Sequence, residues 1–381
     1  MPKSFFAPGH LVRLVHSGRP YFEELCKLID SAHKTIYLQV YIFDEDDTGK
    51  LVLKHLEKAS ARGVQIFILV DGYGSAGLPS DFKDRMTGSG INFNFFSPVS
   101  IFRTINAGRR LHQKVCVVDE KRALVGGINI SDKYRGVKSE KPWYDFALYI
   151  EGPVCVDLYM MCKNVWEKKY RSRKTSIANP HLRSGGVMVR MVQNDWLRGK
   201  NEISSSYKRK LKSATNRIVI VASYFLPSRR LLKILLGAAK NKRSITIILS
   251  KNSDVPFIKP AIAYLYDRLL KAGIRIFEYD QSVLHAKAVL VDNRWVSIGS
   301  HNLNHLSEYI SMEINIEVYD RNFGETLNHE LELLTKNHCE EVTLDSYSQS
   351  ISIFKKFNQW FSYKVVSISE MILDMFTRRI N

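Results

Sequence analysis

The chain has too few cysteines, too short apolar runs and too sparse a histidine pattern for several large classes of protein. Its five cysteines, Cys26, Cys116, Cys155, Cys162 and Cys339, are odd in number and form no CxxC pair. That argues against a disulfide framework and a thiolate zinc site, and a reducing compartment is expected. The most apolar runs, such as IVIVASYFL (218–226), fall well short of the roughly 18 residues that span a bilayer. The opening MPKSFFAPGHLVRLVHSGRP is interrupted by Pro, Gly and Arg, unlike the apolar stretch of a signal peptide. Any action on a membrane is therefore expected from its surface. No HxH or HExxH occurs, so a metallophosphoesterase has little support and no metal or other cofactor is called for.

Cationic charge, by contrast, is abundant. The 56 Lys and Arg exceed the 38 Asp and Glu by 18, which implies a polyanionic partner: nucleic acid, an anionic membrane surface or a phosphate-bearing substrate. A length of 381 residues with 45% hydrophobic content predicts a globular chain with two core-forming units.

The chain repeats itself. AHKTIYLQVYIFDEDDTGKLVLKHLEKASARGVQIFILVDG (32–72) and ATNRIVIVASYFLPSRRLLKILLGAAKNKRSITIILSKN (214–252) both read as strand, helix, strand. Each copy continues through a helix to a Gly-led strand, GINFNFF (90–96) or GIRIFEY (273–279), then to a strand opening with His-x-Lys. Strands alternating with helices predict an α/β fold of two pseudo-symmetric halves, each a mixed or mostly parallel sheet flanked by helices. Residues 1–167 form the first half and 187–345 the second, joined by a basic linker broken by Pro and Gly (168–186). Its charges suit either a solvated face or headgroup binding. The acidic stretch ETLNHELELLTKNHCEEV within 321–345 predicts a helix. In the tail (346–381), aromatic and aliphatic residues alternate with Lys355, Lys356, Lys364, Arg378 and Arg379. Two readings stand for it: a basic amphipathic helix at a membrane interface, or a helix packed on the protein's own core.

The chemistry-bearing residues recur at one spacing. His112, Lys114, Asp119, Gly126, Gly127 and Asn129 form HxKxxxxDxxxxxxGGxN; His285, Lys287, Asp292, Gly299, Ser300 and Asn302 form HxKxxxxDxxxxxxGSxN. A single HxK is weak evidence, but two copies at matching places in a duplicated half argue for function. Strand periodicity projects each His and its Lys to one side. If the halves meet about a pseudo-twofold axis, two imidazoles and two ammonium groups converge on a phosphodiester. The lysines then neutralise non-bridging oxygens that gain charge in the transition state. One imidazole attacks phosphorus, and the other protonates the leaving alcohol and later deprotonates the acceptor.

The Gly-Gly and Gly-Ser pairs, with Gly127 and Ser300, are expected to turn tightly and offer backbone N–H groups to the phosphate, with Asn129 and Asn302 as further donors. Asp119 and Asp292 count among the motif's catalytic set by pattern. They lie too far along the strand to reach the lysine's site, however, and DEKR and DNRW read as turns, which favours a scaffold role. Asp145 and Glu313 are expected behind the histidines, each accepting the second ring N–H. His301 and His305 flank Asn302 and read as surface residues.

The paired motifs, with YIFDEDDTGK and VDGYGS before the first and SYFLP before the second, resemble the phospholipase D superfamily. More narrowly, DNRWVSIGSHNLNHLSEYISMEINIEV resembles bacterial cardiolipin synthases of the shorter branch without N-terminal transmembrane helices. That resemblance implies an active site at the interface of two halves and phosphatidyl transfer. The substrates would be two phosphatidylglycerols, with glycerol released, or phosphatidylethanolamine as donor in some members. It also implies His112 as nucleophile and His285 as general acid, in an enzyme peripheral to the cytoplasmic face of the bacterial inner membrane. Asn304 departs from the Asp of many members, and His305-Leu306 from the Arg that precedes Ser307 in longer ones. Both departures bear on the acceptor headgroup. A phospholipase D-type hydrolase remains an alternative, since only the acceptor differs. A phosphodiester nuclease is disfavoured by two motifs in one chain, and a non-enzymatic lipid binder by both motifs being intact, so nucleic acid is not the expected partner.

Overall fold

The computed structural model describes residues 5–98, 109–169, 186–195, 199–253, 255, 257–304, 307 and 311–378, with side chains in the last helix described to 368. The first repeat supplies β1 (Ala7–His16), β2 (Thr35–Val40), β3 (Gln65–Asp71), β4 (Asn92–Phe96), β5 (Arg110–Leu111), β6 (Lys114–Val118), β7 (Arg122–Gly126) and β8 (Phe146–Glu151). The second supplies β9 (Val187–Asp195), β10 (Lys200–Asn201), β11 (Arg217–Ala222), β12 (Ser244–Ser250), β13 (Arg275–Tyr279), β14 (Lys287–Val291), β15 (Trp295–Gly299), β16 (Ser311–Tyr319) and β17 (Cys339–Val342).

Two compact units result. The first comprises residues up to Lys200 together with Ser297–Ser300 and Ser311–Tyr319; the second holds the remainder. The units thus do not divide at 168–186. β9 and β16, from the second repeat, pair antiparallel from Glu313↔Asn194 to Tyr319↔Met188 within unit one. Most of the proposed linker lies outside the described residues.

In unit one the sheet runs β4-β3-β2-β6-β7-β8-β1-β9-β16. Its β2-β3-β4 part is parallel and the rest antiparallel, a mixed sheet as expected. Alternation along β2 decides the layers. Ile36, Leu38 and Val40 enter the core with Phe22, Leu25 and Leu53 of helices Arg19–Asp30 and Asp47–Ala61. On the opposite side Tyr37 meets Tyr159, and Gln39 Nε2 donates to Cys162 O at 2.9 Å, both on helix Val154–Trp166. Asp46 caps helix Asp47–Ala61 by accepting from Gly49 N at 2.9 Å. A Cβ at Gly49 would stand 1.8 Å from Asp44 O, so only glycine fits.

Unit two repeats the plan in the order β17-β13-β12-β11-β14, again with a parallel β11-β12-β13 part. The symmetry extends to small details, with isolated bridges Phe43↔Ile130 in one unit and Phe225↔Leu303 in the other. β6 and β14 are buried along their whole length, as their apolar sequences predict.

Two elements differ from the sequence reading. Helix Arg321–His338 stops short of 345, because Cys339–Val342 is drawn out as β17 against β13, with Arg275 bonding Glu341 at 2.8 Å. The C-terminal helix Ile353–Arg378 packs on the protein as one reading of the tail expects, but with only part of its surface. One side packs on helix Ile258–Ala263, with Ser362 buried and Tyr363 stacked on Tyr264 at 4.7 Å, while another exposes its aromatics.

Candidate active site

The first motif sits where β5 gives way to β6. Only Lys114 lies within the regular strand; His112 precedes it, its N–H donating to Met312 O at 3.1 Å. One residue behind it fixes this approach. Asp71, at the end of β3, accepts from Leu111 N at 2.7 Å, from Tyr73 N at 2.9 Å and from Gly74 N at 3.0 Å. In the second unit, Ser250 at the end of β12 takes the corresponding place, its Oγ accepting from Leu284 N at 2.9 Å. Neither was singled out from sequence. The signal was available in the repeat, where ILVDG and IILSK end matching strands.

Glu313, fully buried on β16, accepts from His112 Nδ1 through both oxygens, at 2.9 and 3.0 Å. A carboxylate can only accept, so Nδ1 carries a proton and the Nε2 of neutral His112 carries the lone pair. Ser300 Oγ donates to the same carboxylate. Lys114, buried itself, bonds His112 O at 2.6 Å and lies 5.3 Å over the Tyr41 ring, which meets His112 edge-on at 5.2 Å. Burial, reinforced by the Asp71 charge and offset by Arg110, pushes the Tyr41 hydroxyl up to about 12. In the second unit Lys287 Nζ lies 2.9 Å from His285 Nδ1 and also bonds His285 O. Both residues are buried.

The Gly-Gly and Gly-Ser pairs differ from the sequence expectation. Gly127 N donates to Phe146 O at 3.2 Å and Ser300 N to Ile314 O at 2.9 Å, so these N–H groups close the sheet instead of facing a ligand. What the sites require is room and contact for a carboxylate. A Cβ at Gly127 would stand 2.4 Å from Asp145 Oδ2, while Ser300 reaches Glu313. Asp145 and Glu313 therefore hold corresponding places in the two repeats.

The two asparagines are not equivalent either. Asn129 Oδ1 accepts from Ile42 N at 3.1 Å and its Nδ2 donates to Tyr134 Oη at 2.9 Å, which ties the amide to the core. Asn302 is buried with no hydrogen bond to Oδ1 among the described residues.

Asp119 and Asp292, counted with the catalytic set by pattern, are committed elsewhere. Asp119 accepts from His33 N at 2.9 Å and from Lys34 N and Thr35 N at 2.8 Å. Asp292 accepts from Thr215 N, Asn216 N and Arg217 N at 2.8–2.9 Å. Each begins a turn with two successive positive φ angles, Asp119-Glu120 and Asp292-Asn293, as a type I′ turn requires, and Asp and Asn tolerate that geometry best. Asp119 thereby ties its turn to the start of β2, and Asp292 ties its turn to the start of β11. Burial pushes both carboxyls up, but the backbone donors outweigh it and hold both below the ordinary range.

His301 is buried, not superficial, its ring edge-on to Tyr207 at 5.8 Å. His305 lies outside the described residues. Asn304 Oδ1 accepts from Ser307 N at 2.9 Å, closing a local turn.

The family model described as cardiolipin synthase, PLD-like domain matches residues 25–141 and 207–335, one segment for each repeat. Cardiolipin synthase B of Escherichia coli K12 is 30% identical over 353 residues, 89% of this chain and 84% of that protein. Cardiolipin synthase A of Pseudomonas putida is 28% identical over 336 residues, 87% and 70% of the two chains. Among solved structures, phosphatidylserine synthase from Haemophilus influenzae shares the fold with a TM-score of 0.75 at 16% identity, covering 98% of this chain and 97% of that one. The chain belongs to the cardiolipin synthase family of phospholipase D-like proteins.

Proposed function

We propose that this chain is a phosphatidyltransferase that joins two phospholipids, two phosphatidylglycerols with release of glycerol. The observation that carries the reading is the buried Glu313 carboxylate on His112 Nδ1, which directs the lone pair of the neutral ring to Nε2. His112 Nε2 attacks phosphorus, the bond from phosphorus to the glycerol oxygen breaks, and His285 delivers a proton to that oxygen. His285 then removes the proton from the hydroxyl of a second phosphatidylglycerol. That oxygen attacks phosphorus, and the nitrogen–phosphorus bond breaks. Lys114 and Lys287 neutralise the non-bridging oxygens. Asn302 serves as a further contact to the phosphate, while Asp145 supports the imidazole chemistry as Glu313 does.

The names of the relatives support lipid substrates, and the excess of 18 positive charges supports work at an anionic membrane surface. Among the described residues no helix is long and apolar enough to cross a membrane, so peripheral attachment to the cytoplasmic face of the inner membrane belongs to this proposal. Purified protein with headgroup-labelled phosphatidylglycerol vesicles tests the reaction. Cardiolipin with free glycerol is expected; phosphatidic acid as the sole lipid product would assign a hydrolase instead.

A further inference from the structure

Unit two contains a cavity of about 950 Å³ that holds none of the motif residues. Its walls come from helices Arg229–Lys240, Ile258–Ala263, Tyr266–Lys271, Leu344–Ser350 and Ile353–Arg378. They are fixed by the Tyr264–Tyr363 stack and by Tyr347 Oη, which bonds Ala263 O at 2.9 Å and Gln359 Oε1 at 2.8 Å. The volume is at the upper end for small-molecule sites, large enough for a headgroup and part of an acyl chain.

Its charge is one-sided. Arg229, Lys233, Arg268, Lys271 and Lys356 face Asp267 and Asp345. Asp267 is already paired with Lys271 at 2.9 Å. Among the described residues Arg229, Lys233, Arg268 and Lys356 form no ion pair. Between these cations lie apolar groups, Leu232, Leu265, Ile351 and Trp360. Cations on a rim with an apolar floor match an anionic amphiphile, not a free anion or a neutral apolar ligand.

Trp360 joins the cavity to a second surface. The C-terminal helix exposes Ile353, Phe354, Phe357, Trp360, Phe361, Val365 and Ile368, with Phe354 86% and Phe357 62% accessible. At 3.6 residues per turn these seven fall within an arc of about 140°. Such an apolar stripe, rich in aromatic rings, is costly in water and suits the boundary between headgroups and acyl chains. Lys364 lies within the arc, and Lys356 lies beside it on the cavity side.

We infer that this cavity and the outer face of the C-terminal helix form one docking surface for an anionic phospholipid of a bilayer, separate from the HxK motifs. The lipid phosphate rests on the four unpaired cations, its upper chain on Leu232, Leu265 and Trp360, and the neighbouring phenylalanines enter the acyl boundary. The inference deepens the reading of the chain as a lipid enzyme and rests on it for the choice of a lipid over another amphiphile.

Co-sedimentation of the full chain with vesicles tests the inference, comparing phosphatidylcholine alone with phosphatidylcholine plus phosphatidylglycerol. Two variants at exposed positions serve as probes, Lys233→Glu with Arg268→Glu, and Phe354→Ser with Phe357→Ser. Each is expected to weaken binding to the mixed vesicles by about tenfold or more. Thermal unfolding and turnover of short-chain phosphatidylglycerol below its micellar concentration should stay unchanged. Vesicle binding equal to that of the parent in both variants overturns the inference. So does a concentration-dependent dimer in sedimentation velocity that the variants dissolve while vesicle binding persists, since the surface then takes a second copy. Failure of the parent to turn over any phospholipid would remove the enzymatic reading, while vesicle binding would still report on this surface.

Discussion

His112 and Glu313 lie 201 residues apart in the chain and meet as a hydrogen-bonded pair at 2.9 Å, the carboxylate fully buried. The consequence is chemical: Glu313 fixes the tautomer of His112 and supports the positive charge that the ring acquires when bonded to phosphorus. Glu313→Gln keeps the shape and removes the charge. It is expected to lower the turnover number about 10²–10⁴-fold with little change in KM and in thermal stability. Steady-state kinetics with phosphatidylglycerol checks this, and a change confined to KM would contradict it.

Asp119 and Asp292 should behave as stability residues. Each carboxylate collects three backbone N–H bonds, so Asp→Asn at either is expected to cost about 1–3 kcal/mol of stability. Folded enzyme should retain its turnover.

The same pair makes a pH prediction. Both carboxyls titrate below their ordinary value in the folded state. Their contribution is therefore fully present above the unfolded carboxyl pKa, near 4, and is lost as pH falls through the folded value. The stability gap between parent and Asp119→Asn should be constant near neutrality and shrink in acid. Denaturant melts across that range read it out.

Gly127→Ala tests the room made for Asp145. The added methyl would stand 2.4 Å from Asp145 Oδ2, so the carboxylate must move. A loss of about 1–3 kcal/mol is expected from overpacking alone, together with reduced turnover in the folded fraction. Unchanged turnover would separate Asp145 from the chemistry.

Much of this was legible in the chain because duplication writes the same message twice. The strand-helix-strand order of both repeats and the buried β6 and β14 follow from periodicity and apolar content. The turns at Asp119 and Asp292 follow from short polar residues. Less legible was everything set by long-range pairing. That β9 and β16 complete the first unit's sheet is decided by register between distant strands, which leaves no mark on local pattern. Gly127 and Ser300 suggested phosphate donors because glycine-rich turns often are. In the fold their N–H groups were already taken by Phe146 and Ile314. The roles of Asp71 and Ser250 are not legible in the chain because a strand-end carboxylate or hydroxyl has many ordinary uses, and only the structure shows both bracing the residue before a motif histidine.

The most direct measurement is capture of the covalent intermediate. The enzyme is mixed with phosphatidylglycerol, quenched in denaturant within the first turnover, digested and analysed by mass spectrometry. A phosphatidyl group is expected on the peptide containing His112 and is expected to be absent in His112→Ala. A phosphatidyl group found on His285 instead, or near-normal turnover in either single variant, would contradict the mechanism.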